Sequence, residues 1–303
     1  MNPIRYWVRA TRAPFLQAAL IPVLVGTAVA YEEGFFHLWL FILAAVANMA
    51  VNAGTNLVND YYDHLSGTDA ANIHPTPFSG GSRMIQEGKI KPDVVLRAAW
   101  VCFGLAVGIG LYLAACSGWP LIVIGAVGLS CAFAYTAFPF KIGYRGYGEV
   151  MVGILLGPLS VLGTYFVQAG RFSWNAFWAS IPVGILVASI LYVNEFPDYQ
   201  ADRKVGKNHL IVLLGPERAA RGYPLLMAAI YLSISLPILA GILPWLAVLS
   251  IGTLPVAWRA ARVVLRFYSD PVRIIPAQAA TIMLHGIVGL ILSVSFLAHR
   301  LGL

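Results

Sequence analysis

The chain has 303 residues, of which 59% are hydrophobic and 11% charged, with a formal net charge of +7. A soluble domain carries about 25% charged residues. So little charge cannot cover a water-facing surface, which excludes an ordinary soluble domain and leaves an integral membrane protein. Basic residues of such chains gather in cytoplasmic loops, so the positive balance implies no nucleic-acid partner.

Arg5, Arg9 and Arg12 precede the first apolar run. The arrangement resembles a signal peptide but lacks a clear small-residue cleavage site, and more apolar runs follow; it reads as an uncleaved first helix. A spanning helix needs about 20 mostly apolar residues. Nine candidates follow, near 14–31, 38–60, 95–116, 119–138, 148–168, 177–197, 223–242, 244–264 and 278–299. Cys102, Cys116 and Cys131 lie inside apolar stretches without disulfide or zinc spacing and read as small buried hydrophobes.

Nine spans with a cytoplasmic N-terminus place every Lys and Arg except Arg171 and Arg300 on the inner side, as the positive-inside rule requires. Only Glu32 and Glu33 fall outside, and the other 11 acids share the cytoplasmic side. The rule says little about acids. Their concentration predicts a cation site facing the cytoplasm.

The second span ends in Asn56-Leu-Val-Asn59-Asp60-Tyr-Tyr-Asp63, followed by Gly67 and Asp69. Spacings of three and four put Asn56, Asn59, Asp60 and Asp63 on one helix face. The sixth span ends in Asn194-Glu195-Phe-Pro197-Asp198, then Asp202-Arg203. Continued helix would put Asn194, Asp198 and Asp202 on one face, although Pro197 is expected to kink or unwind that end. Carboxylates clustered at a membrane helix end repel one another and resist desolvation. Magnesium, which takes oxygen ligands from one or two carboxylates plus substrate phosphates, relieves both problems. A lone Asp would read as a solvated polar cap; two ladders predict magnesium held against a diphosphate.

Basic residues accompany both ladders: Gly80-Gly81-Ser82-Arg83 after the first, then Arg203, Lys204 and Lys207 after the second. Arg83, Arg203 and Lys207 are diphosphate candidates. Gly80-Gly81 reads equally as a lid hinge or a plain turn. A third element, Tyr135-Thr-Ala-Phe-Pro-Phe-Lys141, follows span 4. Its aromatic residues, with Phe133, read as an interfacial belt or as faces that stabilise an allylic cation. Lys141 reads equally as a topology marker. His64 and His74 lie in loops on the acidic side; His37, His209, His285 and His299 read as interfacial or packed.

Taken together, these elements resemble the UbiA superfamily of intramembrane prenyltransferases, closest to its 1,4-dihydroxy-2-naphthoate, or menaquinone, branch. The likeness covers most of the chain. It rests on Asn56–Asp63, Gly67-Thr-Asp69, the Tyr135…Lys141 element and Asp202-Arg-Lys-Val-Gly-Lys207. Gly67 stands where the 4-hydroxybenzoate branch usually has an acid, and Glu195 where a polar amide is frequent. The resemblance implies an all-α membrane protein of nine transmembrane helices, in two four-helix halves forming one domain over residues 1–303. Active-site loops are expected near 61–94, 138–147 and 198–222.

It further implies that Asn59, Asp60, Asp63, Asp198 and Asp202 hold Mg2+ and diphosphate, supported by Asn56, Asp69 and Asn194. Arg83, Lys141, Arg203 and Lys207 would contact phosphates, and Tyr135 would sit near C1 of the prenyl chain. The expected partners are a polyprenyl diphosphate, an aromatic acceptor and the lipid bilayer, with no nucleic acid and no protein partner. The expected location is the inner cell membrane, active site toward the cytoplasm. Glu149 reads as a plain helix-start residue or as a proton acceptor. The alternatives are a terpene cyclase of the same fold and a cation-coupled transporter, whose acids would sit near the bilayer midplane.

Overall fold

The computed structural model describes residues 3–73 and 75–302. His74, expected in a loop beside the acidic motifs, lies outside the described residues. Among the described residues the chain is organised by seven long and two shorter apolar helices: α1 (Leu16–Glu32), α2 (Leu38–Leu65), α3 (Pro92–Ser117), α4 (Pro120–Ala134), α5 (Gly148–Ala169), α6 (Trp174–Asn194), α7 (Pro216–Leu239), α8 (Trp245–Phe267) and α9 (Ile275–Arg300). Seven are long and apolar enough to cross a membrane; α1 and α4, at 17 and 15 residues, are shorter. Short helices stand between them, among them Pro3–Ala10, Thr68–Ala71 and Tyr199–Lys204. No strand occurs among the described residues.

Local chemistry explains where the elements stop. The expected fourth span ends at Ala134 rather than 138, because Pro139 disfavours helical backbone at Phe138 and the chain turns there. Helix α6 ends at Asn194, three residues before Pro197, whose ring removes a donor and whose Cδ disfavours helical backbone at the preceding residue. Helix α2 meets no such obstacle and runs through the whole first acidic motif to Leu65.

The largest apolar core joins α1 with α5 through α9, and smaller ones lie among α1–α5 and around α2, α3 and the loop after α2. Lipid tails are as apolar as leucine, so close backbone approach rather than hydrophobic burial brings such helices together. The α5–α6 crossing shows it: a Cβ on Gly157 would lie 2.5 Å from the Cα of Gly184. The same stretch of α5, Leu155–Leu159, is a π-helical segment containing Pro158, a local widening common at functional sites. Of the three cysteines, Cys116 is exposed and the others partly so, against the expectation that all are buried.

The two ends of the bundle differ. At one end Glu33 pairs with Arg171 at 3.0 Å and accepts from Ser173 at 2.8 Å, while Glu32 lies 2.7 Å from His299. Exposed Trp39, Trp119, Trp174 and Trp245 stand at or beside the starts of α2, α4, α6 and α8, as in an interfacial aromatic belt. Both acidic motifs sit at the other end.

Candidate active site

Helix α2 carries Asn56, Asn59, Asp60 and Asp63 as the spacing predicts, with Asp60 and Asp63 buried. The second motif is built differently. Because α6 has ended, Asp198 sits in the turn immediately before Tyr199–Lys204, on which Asp202 lies. The expected single face for Asn194, Asp198 and Asp202 is therefore replaced by a corner, with Asn194 on one arm and Asp202 on the other.

Three contacts close the two motifs onto each other. Asn72 Nδ2 donates to Asp198 Oδ1 at 2.7 Å, and the Gly80 backbone N–H donates to Asp198 Oδ2 at 3.1 Å. Lys207 Nζ lies 3.3 Å from Asp63 and 3.7 Å from Asp202. The loop after α2 also returns to its own helix, where the Ser82 N–H donates to both oxygens of Asp60 at 3.3 Å. Gly81 permits this path. Its φ is +74°, and a Cβ would meet the Asp69 oxygens at 2.7 and 2.8 Å, so a side chain is excluded twice over. Gly80-Gly81 is thus a turn that brings backbone donors to carboxylates.

Asp60, Asp63, Asp69, Asp198 and Asp202 share this end, and among the described residues Arg12 and Lys207 pair with them, with His209 also 3.1 Å from Asp202. Burial, then the charges of Asp63 and Asp60, push the Asp69 carboxyl up to about 8. Burial and Asp202 push Asp198 up to about 7. Burial lowers the Lys207 ammonium, but Asp202 and Asp63 outweigh it and hold its pKa well above the usual lysine value. The carboxylate excess, the Asn oxygens and the buried Asn194 Oδ1, which has no hydrogen-bond partner, form an all-oxygen donor set. Such a set fits Mg2+ and needs a cation.

The motifs stand at the mouth of a cavity of about 370 Å3 that runs between α2, α3, α4, α5 and α6. Its polar end is lined by Asn56, Asn59, Asp63, Asp69, Asn194, Asp198, Asp202 and Lys207. Its depth is apolar, with Val51, Leu113, Leu121, Ile124, Leu156 and Leu159. Tyr135 lines the wall near the polar end, its ring packed on Gly143 and Gly148. Phe138 and Phe140 are exposed and do not border the cavity, and Phe133 packs on Tyr62 and Trp100.

The basic residues divide. Lys207 reaches the cavity; Arg83, Lys141 and Arg203 stand off its wall. Arg83 braces the loop by donating to the carbonyls of Asp69 and Asn72. Lys141 sits over the Tyr144 ring at 4.9 Å, and Arg203 donates to the Tyr199 hydroxyl at 3.0 Å. Glu149 is buried, accepts from the Leu210 N–H at 2.8 Å and does not border the cavity.

Two participants escape sequence reasoning. Arg12 donates to Asp60 at 2.5 Å and Asn59 at 2.9 Å, although its position among the N-terminal arginines marks it only as a topology residue. Tyr144 donates to Asp63 at 2.6 Å; burial, then Asp63, push its hydroxyl up to about 12. A lone arginine or tyrosine in a loop carries no spacing signal, so neither could be singled out.

Comparison with known proteins accords with this geometry. Residues 19–293 match the UbiA prenyltransferase family. The chain belongs to that family. It is similar to the 1,4-dihydroxy-2-naphthoate octaprenyltransferase of Bacillus subtilis, at 31% identity over 95% of this chain and 90% of the relative. The Mycobacterium tuberculosis protein of the same name is 33% identical over 86% of each chain. Among solved UbiA folds, an Aeropyrum pernix homologue superposes with a TM-score of 0.67 at 16% identity, covering 94% of this chain and 98% of that one. An Archaeoglobus fulgidus homologue bound to GPP and Mg2+ gives 0.59 at 14% identity, over 95% and 99%.

Proposed function

We propose that this UbiA-family protein transfers a polyprenyl group from a polyprenyl diphosphate to an aromatic acceptor, 1,4-dihydroxy-2-naphthoate, and releases diphosphate. The observation that carries the reading is the pairing of two acidic motifs at the polar mouth of an apolar cavity, with Lys207 between Asp63 and Asp202. The names of the Bacillus and Mycobacterium relatives support the acceptor.

Asn59, Asp60, Asp63, Asp198 and Asp202 would hold Mg2+, with Asn56, Asp69 and Asn194 in support. When bound, the metal supplies Lewis-acid stabilisation of the leaving diphosphate. Lys207 adds a fixed positive charge where negative charge develops, already in place before reaction. The apolar walls hold the isoprenoid chain and keep water from the developing allylic cation. Tyr135 presents its ring from the wall near the polar end, where C1 would lie. An electron-rich carbon of the acceptor ring then attacks C1 as the carbon–oxygen bond to diphosphate breaks, and the ring regains its aromaticity by releasing its carboxylate as CO2. Arg83, Lys141 and Arg203 act from outside the cavity wall: Arg83 by bracing the Asp69–Asn72 loop, the other two on entering or departing diphosphate.

The chain is read as a single membrane domain of nine spans in two four-helix halves, with the acidic end toward the cytoplasm of the inner membrane. The distribution of Lys and Arg supports that orientation. The test is Asp63→Asn and Asp198→Asn, assayed for prenyl transfer in membranes with and without magnesium. Both should fall at least 100-fold, the usual scale for a lost electrostatic group in a water-excluded site. Near-wild-type turnover in both variants overturns the metal assignment. Unchanged diphosphate release with or without dihydroxynaphthoate points instead to a cyclase.

A further inference from the structure

Beside the second acidic motif, with Glu195 itself bordering the cavity, lies a cluster to which the transfer reaction assigns no role. Glu149 opens α5, Glu195 follows the end of α6 and His209 lies in the loop before α7. They are 3%, 6% and 0% exposed, and one ligand atom from each falls within 4.8 Å of the others. His209 Nδ1 is 3.3 Å from Glu195 Oε2, and Nε2 is 3.1 Å from Asp202 Oδ2. Neither contact has hydrogen-bond alignment, and both ring nitrogens, Glu195 Oε2 and Glu149 Oε2 are buried without a hydrogen-bond partner.

Each ring nitrogen of His209 faces a carboxylate oxygen without an aligned hydrogen bond, and a further buried carboxylate, Glu149, stands beside them. Burial, then the charge of Glu149 and a hydrogen bond to it, push the Glu195 carboxyl well up, against partial opposition from Lys207. Leaving such groups buried without aligned partners is unfavourable.

We propose that Glu149, Glu195 and the Nδ1 nitrogen of His209 form a second divalent-metal site, adjacent to the magnesium site and selective for a transition metal such as Zn2+ or Mn2+. One imidazole with two carboxylates suits these ions, whereas Mg2+ favours oxygen ligands alone. Ligand atoms within 4.8 Å of one another leave room for metal–ligand bonds of about 2.0–2.2 Å. Asp202 stands at the other ring nitrogen, the place of the outer carboxylate that fixes tautomer and orientation in metal-bound histidines. The ion would tie the starts of α5 and α7 to the end of α6. It would also set, through His209, the position of Asp202 in the magnesium site.

The full-length protein, stripped with chelator in detergent and reloaded with Zn2+, is weighed for metal in an Asp60→Asn/Asp198→Asn background that disables the magnesium site. One equivalent should remain, and adding Glu195→Gln and His209→Gln should remove it. No tightly held zinc in that background, or undiminished zinc after the added substitutions, overturns the site. A second measurement needs no variant to fold. Mn2+ bound to the wild-type protein should show spin-echo modulation from one directly coordinated imidazole nitrogen. Manganese bound through oxygen alone overturns the proposal. Since neither readout measures prenyl transfer, failure here is distinguishable from failure of the proposed function.

Discussion

Lys207 Nζ lies 3.3 Å from Asp63 Oδ2, joining residues 144 positions apart in the chain. The same ammonium is 3.7 Å from Asp202 and 5.4 Å from the centre of the Tyr144 ring. It is the cation that touches both acidic motifs, and it borders the cavity.

Lys207→Ala should therefore lower kcat/KM for prenyl transfer by about 100-fold, the scale expected for removing one fixed electrostatic group. Transfer of labelled prenyl diphosphate in membranes measures it. A loss of less than threefold would show that the lysine serves only to neutralise the motifs.

Arg12 acts on the first motif alone. In chelator, Arg12→Ala leaves the buried Asp60 without its guanidinium, which should destabilise the protein by roughly 3–5 kcal/mol. Added Mg2+ should restore much of that loss, because it supplies positive charge at the same carboxylates. Thermal unfolding of the variant with EDTA and with Mg2+ checks both halves.

Gly81→Ala places a methyl group against Asp69 and forces a side chain into left-handed backbone. A cost of about 1–3 kcal/mol is expected, concentrated in the loop that brings the Ser82 and Gly80 N–H groups to Asp60 and Asp198. Activity should fall more steeply than melting temperature. Equal loss at Gly88→Ala, where a Cβ meets nothing within 4 Å, would refute a special role for the close approach.

Stability should also depend on pH with a definite sign. Asp69 and Asp198 titrate near 8 and 7 in the fold, above the unfolded carboxylate range, so the folded chain holds protons that the unfolded chain has released. Stability of the metal-free protein is then greatest below about pH 4 as far as these groups go, and declines as pH rises toward 8. Mg2+ requires the deprotonated carboxylates, so its stabilisation should grow over the same interval. Melting temperatures at pH 6 and 8.5, with EDTA and with Mg2+, should show a larger magnesium-induced rise at the higher pH.

The first acidic motif was legible from spacing because α2 is unbroken through Asp63, so intervals of three and four translate directly into one face. The second was not. Pro197 divides it, and Asp198 reaches the site through a turn held by Asn72 and Gly80. Arg203 and Lys141, drawn in by proximity in sequence, lie outside the cavity wall, while Arg12, remote from both motifs, sits on one of them.

Membrane class, the helices and the identity of the carboxylate motifs follow from composition and short-range periodicity. Those properties belong to segments of about 20 residues and need no knowledge of neighbours. Which charges meet is a different matter. Asn72 with Asp198, Lys207 with Asp63, and Glu149 with Glu195 and His209 are brought together by helix packing. No local pattern encodes a contact between residues 126 or 144 apart; it exists because glycines let helices approach closely and loops return buried donors to buried acids.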